Sequence, residues 1–320
     1  MRRAGAEPTR SDAVPPIEPT GEIHYFTRRV LAFPRPKRTL RVRTQANSAG
    51  VVAMTAEAAF DAWSAGESYE RYMGRWSRMI AAGFLRWLDP PADADWLEIG
   101  CGTGALTEAI LRTASPRSIV ATDRSSDFVE HARAAISDAR VSLGVADALR
   151  LPAADAAVDV AASALVLNFI PDRVAALKEM RRTLRPGGLL SFYVWDYPGG
   201  GMGFIDAFWK AAAALDDAAA ELDEGLRFPF CTPAGLTAMC REAGIGDASV
   251  EAIEVTTEFP DFEAFWRPFT LGAGPAPGYC ISLPDDRRRR LKERLGATLG
   301  ADGPIRLPAR AWAVKASATG

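Results

Sequence analysis

Three glycines at alternate positions, Gly100, Gly102 and Gly104, follow Trp96, Leu97 and Ile99 and precede Ala105, Leu106 and Thr107. Apolar, strand-favouring side chains, then backbone with no side chains, then a helix start make a turn against which a ligand can lie directly on the main chain. A tight structural turn would use the same residues. Two acids narrow the reading. Glu98 sits just before the first glycine, and Asp123 closes the next predicted strand, Ser118 to Thr122. Its distance from Gly102 is close to the roughly 20 residues expected in nucleotide-binding units, where such a carboxylate accepts the hydroxyl hydrogens of a ribose. Asp123 alone would read as a helix cap or turn residue; paired with the loop it reads as a ribose ligand. A second aspartate, Asp147, follows a third predicted strand, Val141 to Val145.

Other chemistries lack their parts. The four cysteines, at 101, 231, 240 and 280, form no CxxC pair, and the histidines are His24 and His131, so neither a zinc cluster nor a disulfide framework is expected and no metal is assigned. A net charge of −2 gives no global attraction to nucleic acid. No apolar run approaches the roughly 20 residues of a membrane span, and the N-terminus lacks a secretory apolar core, so the expected setting is the cytoplasm.

The elements that must position these residues alternate. Strands are expected at 118–122, 141–145, 158–164 and 189–194, with helices over 106–113 and 126–135 and another opened by Asp172 and stopped by Arg185-Pro-Gly-Gly188. That alternation argues for an α/β fold, a doubly wound, Rossmann-like, mostly parallel sheet whose ligands bind outside the carboxyl ends of the strands. Residues 1–55, with prolines at 8, 15, 16, 19, 34 and 36, read as a disordered extension, or as residues preceding a true start at Met54. Residues 56–95 read as a helical cap and 96–200 as the ligand-binding core. Residues 201–320 read as a part that completes the sheet with an antiparallel strand pair near 249–256 and 311–314. Within it helical material is expected from 204 to 221 and from 233 to 243. The aromatics Phe262, Phe265, Trp266, Phe269 and Tyr279 fit either a subdomain core or the wall of a pocket. The arginine-rich run 285–294 carries interspersed acids and reads as a solvated helix face.

Taken together, Glu98-Ile-Gly100-Cys-Gly102-Thr-Gly104, Asp123, Ala146-Asp147-Ala148, the Leu165 to Pro171 loop and Arg185-Pro-Gly-Gly188 resemble the motifs of class I S-adenosylmethionine-dependent methyltransferases. The likeness covers about residues 60 to 200 and is nearest to the generic small-molecule branch grouped with ubiquinone and menaquinone biosynthesis. It implies S-adenosylmethionine as cofactor and a small-molecule methyl acceptor. Gly100, Gly102 and Gly104 would border the methionine part, Glu98 would orient the loop, and Asp123 would bind the ribose. Arg124, Asp147 and Ala148 would flank the adenine. Tyr72 and Arg75 would close over the cofactor, Arg75 pairing with its carboxylate.

The resemblance assigns no catalytic residue. The family commonly has a histidine where this chain has Asn168, and an amide is no base at neutral pH. Asp196 is the nearest carboxylate, equally a strand-end cap, while Trp195, Tyr197 and Trp266 could face a cation or shape the acceptor pocket. A nicotinamide-dependent oxidoreductase is the rival enzyme reading. It needs the third glycine three positions after the second, whereas Gly104 follows Gly102 by two. A catalytically silent S-adenosylmethionine-binding protein is the other alternative. A nucleic-acid methyltransferase is disfavoured because Asn168-Phe-Ile-Pro171 lacks the arrangement that grips a flipped base.

Overall fold

The computed structural model describes residues 66–272, 274–300 and 302–318. The expected N-terminal extension, the alternative start at Met54 and the first part of the expected cap lie outside the described residues. An α turn, Gly66–Tyr69, and a π-helical turn, Glu70–Gly74, lead into helix α1, Arg75–Leu88. There follow β1 (Asp95–Ile99), α2 (Ala105–Thr113), β2 (Ser118–Asp123), α3 (Ser126–Ala135), β3 (Val141–Val145) and β4 (Val158–Ala164). Then come α4 (Arg173–Thr183), β5 (Leu184–Trp195), α5 (Gly203–Ala213), α6 (Pro233–Glu242), β6 (Ser249–Phe259), α7 (Pro275–Ser282), α8 (Asp285–Leu299) and β7 (Ile305–Ser317).

The seven strands lie in the order β3-β2-β1-β4-β5-β7-β6. The first five are parallel; β7 runs antiparallel to β5, and β6 antiparallel to β7. β1 is central and buried along its whole length, as a strand covered on both faces must be. Side chains alternate across it. Trp96 enters a core with Phe84, Tyr193, Phe204, Phe208, Phe265 and Phe269, whereas Leu97 and Ile99 enter the opposite core with Val158, Leu177, Met180 and Phe192. Glu98 shares the face of Trp96, so the first core surrounds its carboxyl.

The antiparallel pair at the C-terminal end is as expected but longer, and its last strand inserts beside β5. Two local expectations change. The helix expected over 204–221 ends at Ala213, because Asp216, with extended backbone, accepts from the Ala218 N–H at 3.1 Å and starts a separate 3-10 turn, Asp217–Leu222. Arg185-Pro-Gly-Gly188 does more than stop α4. It belongs to β5, where a register shift between Val158 and Val160 accommodates it. The aromatic insertion is core: Phe269 stacks on Phe208 with centroids 4.5 Å apart, and Phe265 and Phe269 are fully buried. On α8, Leu291 and Leu295 face inward while Arg287, Arg289 and Arg290 are exposed.

Candidate ligand-binding site

The glycine loop hangs from the carboxyl end of β2. Gly100 and Cys101 both donate their N–H groups to the Thr122 carbonyl, at 2.7 and 2.9 Å, and the loop then enters α2 with Gly104 as its N-cap. All three glycines have positive φ: 75°, 50° and 94°. Their reasons differ. A Cβ on Gly100 would stand 2.4 Å from Val166 Cγ2, and one on Gly104 would stand 2.6 Å from Ile136 Cδ1. At Gly102 a Cβ would meet nothing within 4 Å. The chain's own packing requires the outer two, and the middle one leaves room for something else.

Asp123, at the tip of β2, is 8% exposed. Its Oδ2 accepts from Gly102 N at 3.0 Å and its Oδ1 from Ser125 N at 2.9 Å. Burial pushes its pKa up against the pull of those two N–H groups. The carboxylate thus ties the loop to the next strand end, and each oxygen keeps a lone pair for a further donor.

Glu98 is completely buried. The Thr107 hydroxyl donates to its Oε2 at 2.5 Å, but Oε1 has no hydrogen-bond partner among the described residues. Burial raises the Glu98 pKa to about 8, with the Thr107 bond pulling down and the charge of Asp123 adding to the rise. Both carboxyls line one cavity, with about 770 Å³ of empty space when its open mouth is included. The turn at 69–74 covers the loop: the Thr103 hydroxyl donates to Glu70, which also pairs with Arg78, and Tyr69 is 3.0 Å from the Ser77 hydroxyl.

Tyr72, Glu98, Gly100, Gly102 and Asp123 come together around this cavity. Gly104 lies outside the lining, at the helix start. Arg124 is exposed beside Asp123 and outside the lining. Asp147 and Ala148 also lie outside the lining, just past the end of β3. Asp147 is exposed and accepts from Leu149 N, while the adjoining Ala146 N–H donates to the Asp123 carbonyl. Arg75 points elsewhere: it donates to the Glu258 carbonyl at 2.6 Å and lies 3.8 Å over the Trp76 ring. Trp195 and Tyr197 line the cavity; Trp266 is in the core. Asp196 is held by Arg310 at 3.1 Å and by the Gly199 N–H at 3.0 Å, outside the lining, and Asn168 is also outside.

The cavity also contains residues that the sequence did not single out. Tyr193 from β5 presents a buried hydroxyl with no partner among the described residues. Glu224, 2% exposed at the start of a short helix, Glu224–Arg227, accepts from the Trp209 indole N–H. Burial raises its pKa to about 8. Nothing distinguished Glu224 in sequence, because it stands among Asp216, Asp217, Glu221 and Asp223.

Residues 97–192 match the family model described as a methyltransferase domain. Over that stretch the chain is similar to a methyltransferase domain. Over 96 residues it is 34% identical to malonyl-[acyl-carrier protein] O-methyltransferase from Hahella chejuensis, covering 30% of this chain and 34% of that protein. It is also 34% identical over 96 residues to demethylmenaquinone methyltransferase from Staphylococcus aureus, covering 29% and 40%. The chain therefore spans little more than a third of the length of these curated relatives. Beyond the domain, the fold resembles a Haloferax volcanii protein solved in complex with the Trm112 methyltransferase activator. That match has a TM-score of 0.51 and 20% identity, and covers 82% of this chain and 98% of the other. The matched stretch thus holds the glycine loop, Glu98, Asp123 and the strand ends, while Tyr72 and Glu224 approach the cavity from outside it. Among the described residues no helix is long and apolar enough to cross a membrane, and no cluster of metal-ligating side chains occurs.

Proposed function

We propose that this chain is an S-adenosylmethionine-dependent methyltransferase that moves a methyl group to a small-molecule acceptor in the cytoplasm. The observation that carries the reading is the unpartnered, fully buried Glu98 Oε1 in a cavity whose floor is the open backbone at Gly102. A buried acceptor with nothing to accept from suits an ammonium such as that of the cofactor's amino acid. Asp123, with lone pairs to spare beside the loop, suits a ribose diol. Arg124, Asp147 and Ala148, along the same strand edge, suit the adenine side. Arg75, turned onto Trp76 and Glu258, has no part in it.

The bound sulfonium supplies an already activated methyl group. The chain's task is to hold the acceptor in line with it and keep water out, which in favourable cases lowers a barrier by about 7–11 kcal/mol. The aromatic walls Tyr72, Trp195 and Tyr197 serve both needs. The names of the two curated relatives support an organic acceptor, and the four free, buried cysteines fit a reducing compartment. The nicotinamide reading has less support, because an antiparallel strand stands beside β5 where the dinucleotide fold continues in parallel. Incubation with methyl-labelled cofactor and a metabolite extract tests the proposal. A labelled small molecule is expected; label found only in nucleic acid, or in no product, would refute it.

A further inference from the structure

We propose that the part of the cavity around Glu224 receives a small organic amine, arriving as its ammonium, and that Glu224 takes the proton the amine must lose before it can attack. The inference rests on the methyltransferase reading and names its acceptor class.

Glu98, Asp123 and Glu224 line the cavity, and among the described lining residues there is no Lys, Arg or His. An anionic acceptor, a carboxylate or phosphate, would have to be desolvated beside Glu224 with no basic side chain among the described lining residues to receive it, which disfavours it. A cation meets the reverse: one buried carboxyl and the faces of Tyr72, Trp195, Tyr197 and Phe169, which attract positive charge. Tyr72 and Tyr197 both have their pKa raised, by burial first and then by the charge of Glu224, so their hydroxyls stay neutral and none can act as the base.

The carboxyl is also positioned. The Trp209 indole, on α5, donates to Glu224 Oε2, and Trp209 is itself fixed edge-on against Phe208 with centroids 5.2 Å apart. The groups that act on it electrostatically are Asp223, which raises its pKa, and Arg227, which lowers it; the neutral Tyr72 and Tyr197 hydroxyls face it. With burial dominating, it titrates at about 8, far better matched to an alkylammonium than an ordinary carboxyl.

The step balances. An ammonium proton passes to the Glu224 carboxylate, and the freed nitrogen lone pair forms the N–C bond to the methyl carbon as the C–S electron pair passes to sulfur. The N-methylammonium product leaves with its charge, and Glu224 returns the proton to solvent.

Wild-type chain is given methyl-labelled S-adenosylmethionine with phenethylamine, para-ethylphenol or hydrocinnamic acid in parallel. Label is expected in the amine at least tenfold faster than in the phenol or acid. Glu224→Gln is expected to lower transfer to the amine about a hundredfold or more, to abolish the rise in rate as pH climbs towards about 8, and to weaken phenethylamine binding to S-adenosylhomocysteine-loaded chain in a calorimeter. S-adenosylhomocysteine affinity is expected to stay within threefold. Preferred labelling of the acid or phenol, or a Glu224→Gln rate within threefold of wild type, would overturn the proposal. Should Glu224→Gln not fold, judged by its circular dichroism melt, the wild-type acceptor comparison decides alone. Wild type that fails to bind S-adenosylhomocysteine overturns the cofactor reading and this inference with it, whereas binding with the wrong acceptor overturns only this inference.

Discussion

Alanine at Gly100 and at Gly102 should fail in different ways, because the two positions have the same backbone sign and different surroundings. Both lie in the left-handed region, at φ 75° and 50°, where an L side chain costs roughly 1–2 kcal/mol. At Gly100 the new methyl carbon would also sit 2.4 Å from Val166 Cγ2 and 2.6 Å from Cγ1, and overpacking of that kind adds about 1–3 kcal/mol. At Gly102 nothing lies within 4 Å, so the backbone strain stands alone. A stability loss of 1 kcal/mol lowers Tm by about 2–4 °C in a domain of this size. Gly102→Ala should therefore melt a few degrees below wild type, and Gly100→Ala about twice as far below or more. Binding should rank the other way per unit of lost stability. Gly102 lines the cavity and a methyl there would meet only space free of the chain's own atoms, so S-adenosylhomocysteine affinity should fall at least tenfold in a variant that is well folded at 20 °C. Thermal melts followed by titration calorimetry read both quantities on the same samples. A folded Gly102→Ala that binds as wild type would refute the assignment of that space to a ligand.

Glu98 carries a pH signature. Its folded pKa, about 8, lies above the ordinary carboxyl value, so the folded state holds the extra proton and apo stability should fall as pH rises from about 4.5 to 8. Glu98→Gln should flatten its share of that slope in chemical denaturation followed across the range; an unchanged slope would show that the carboxyl is not protonated in the fold. Arg75→Ala should leave S-adenosylhomocysteine affinity within twofold, because the guanidinium is committed to Trp76 and the Glu258 carbonyl. A loss of tenfold or more would return Arg75 to the site.

The parallel half of the sheet was legible because its strands carry their own punctuation: Asp123 ends one, Asp147 follows another, and glycines open the helix between the first two. Glu98 and Asp123 could be placed at the cavity because each is tied to that local pattern, whereas Tyr72, ahead of β1, was named through the family resemblance. Glu224 could not. It reaches the cavity through a chain fold of the second half, where Trp209, 15 residues away, turns an ordinary surface-type acid into a buried one. Arg75 shows the converse: the family resemblance set it over the cofactor beside Tyr72, whereas its guanidinium lies on Trp76 and the Glu258 carbonyl of β6. Asp196 was similarly claimed by Arg310 on β7. Long-range partners of this kind leave no local trace.

The central claim is that the loop from Trp96 to Thr107, with Glu98 and Asp123, cradles S-adenosylmethionine. Titration of S-adenosylhomocysteine into wild type and into Asp123→Ala tests it most directly, with NADH titrated in parallel. Saturable heat with wild type, binding at least tenfold weaker in the variant and none for NADH are the expected results. No heat from S-adenosylhomocysteine, equal binding by the two proteins, or tighter binding of NADH would contradict the account.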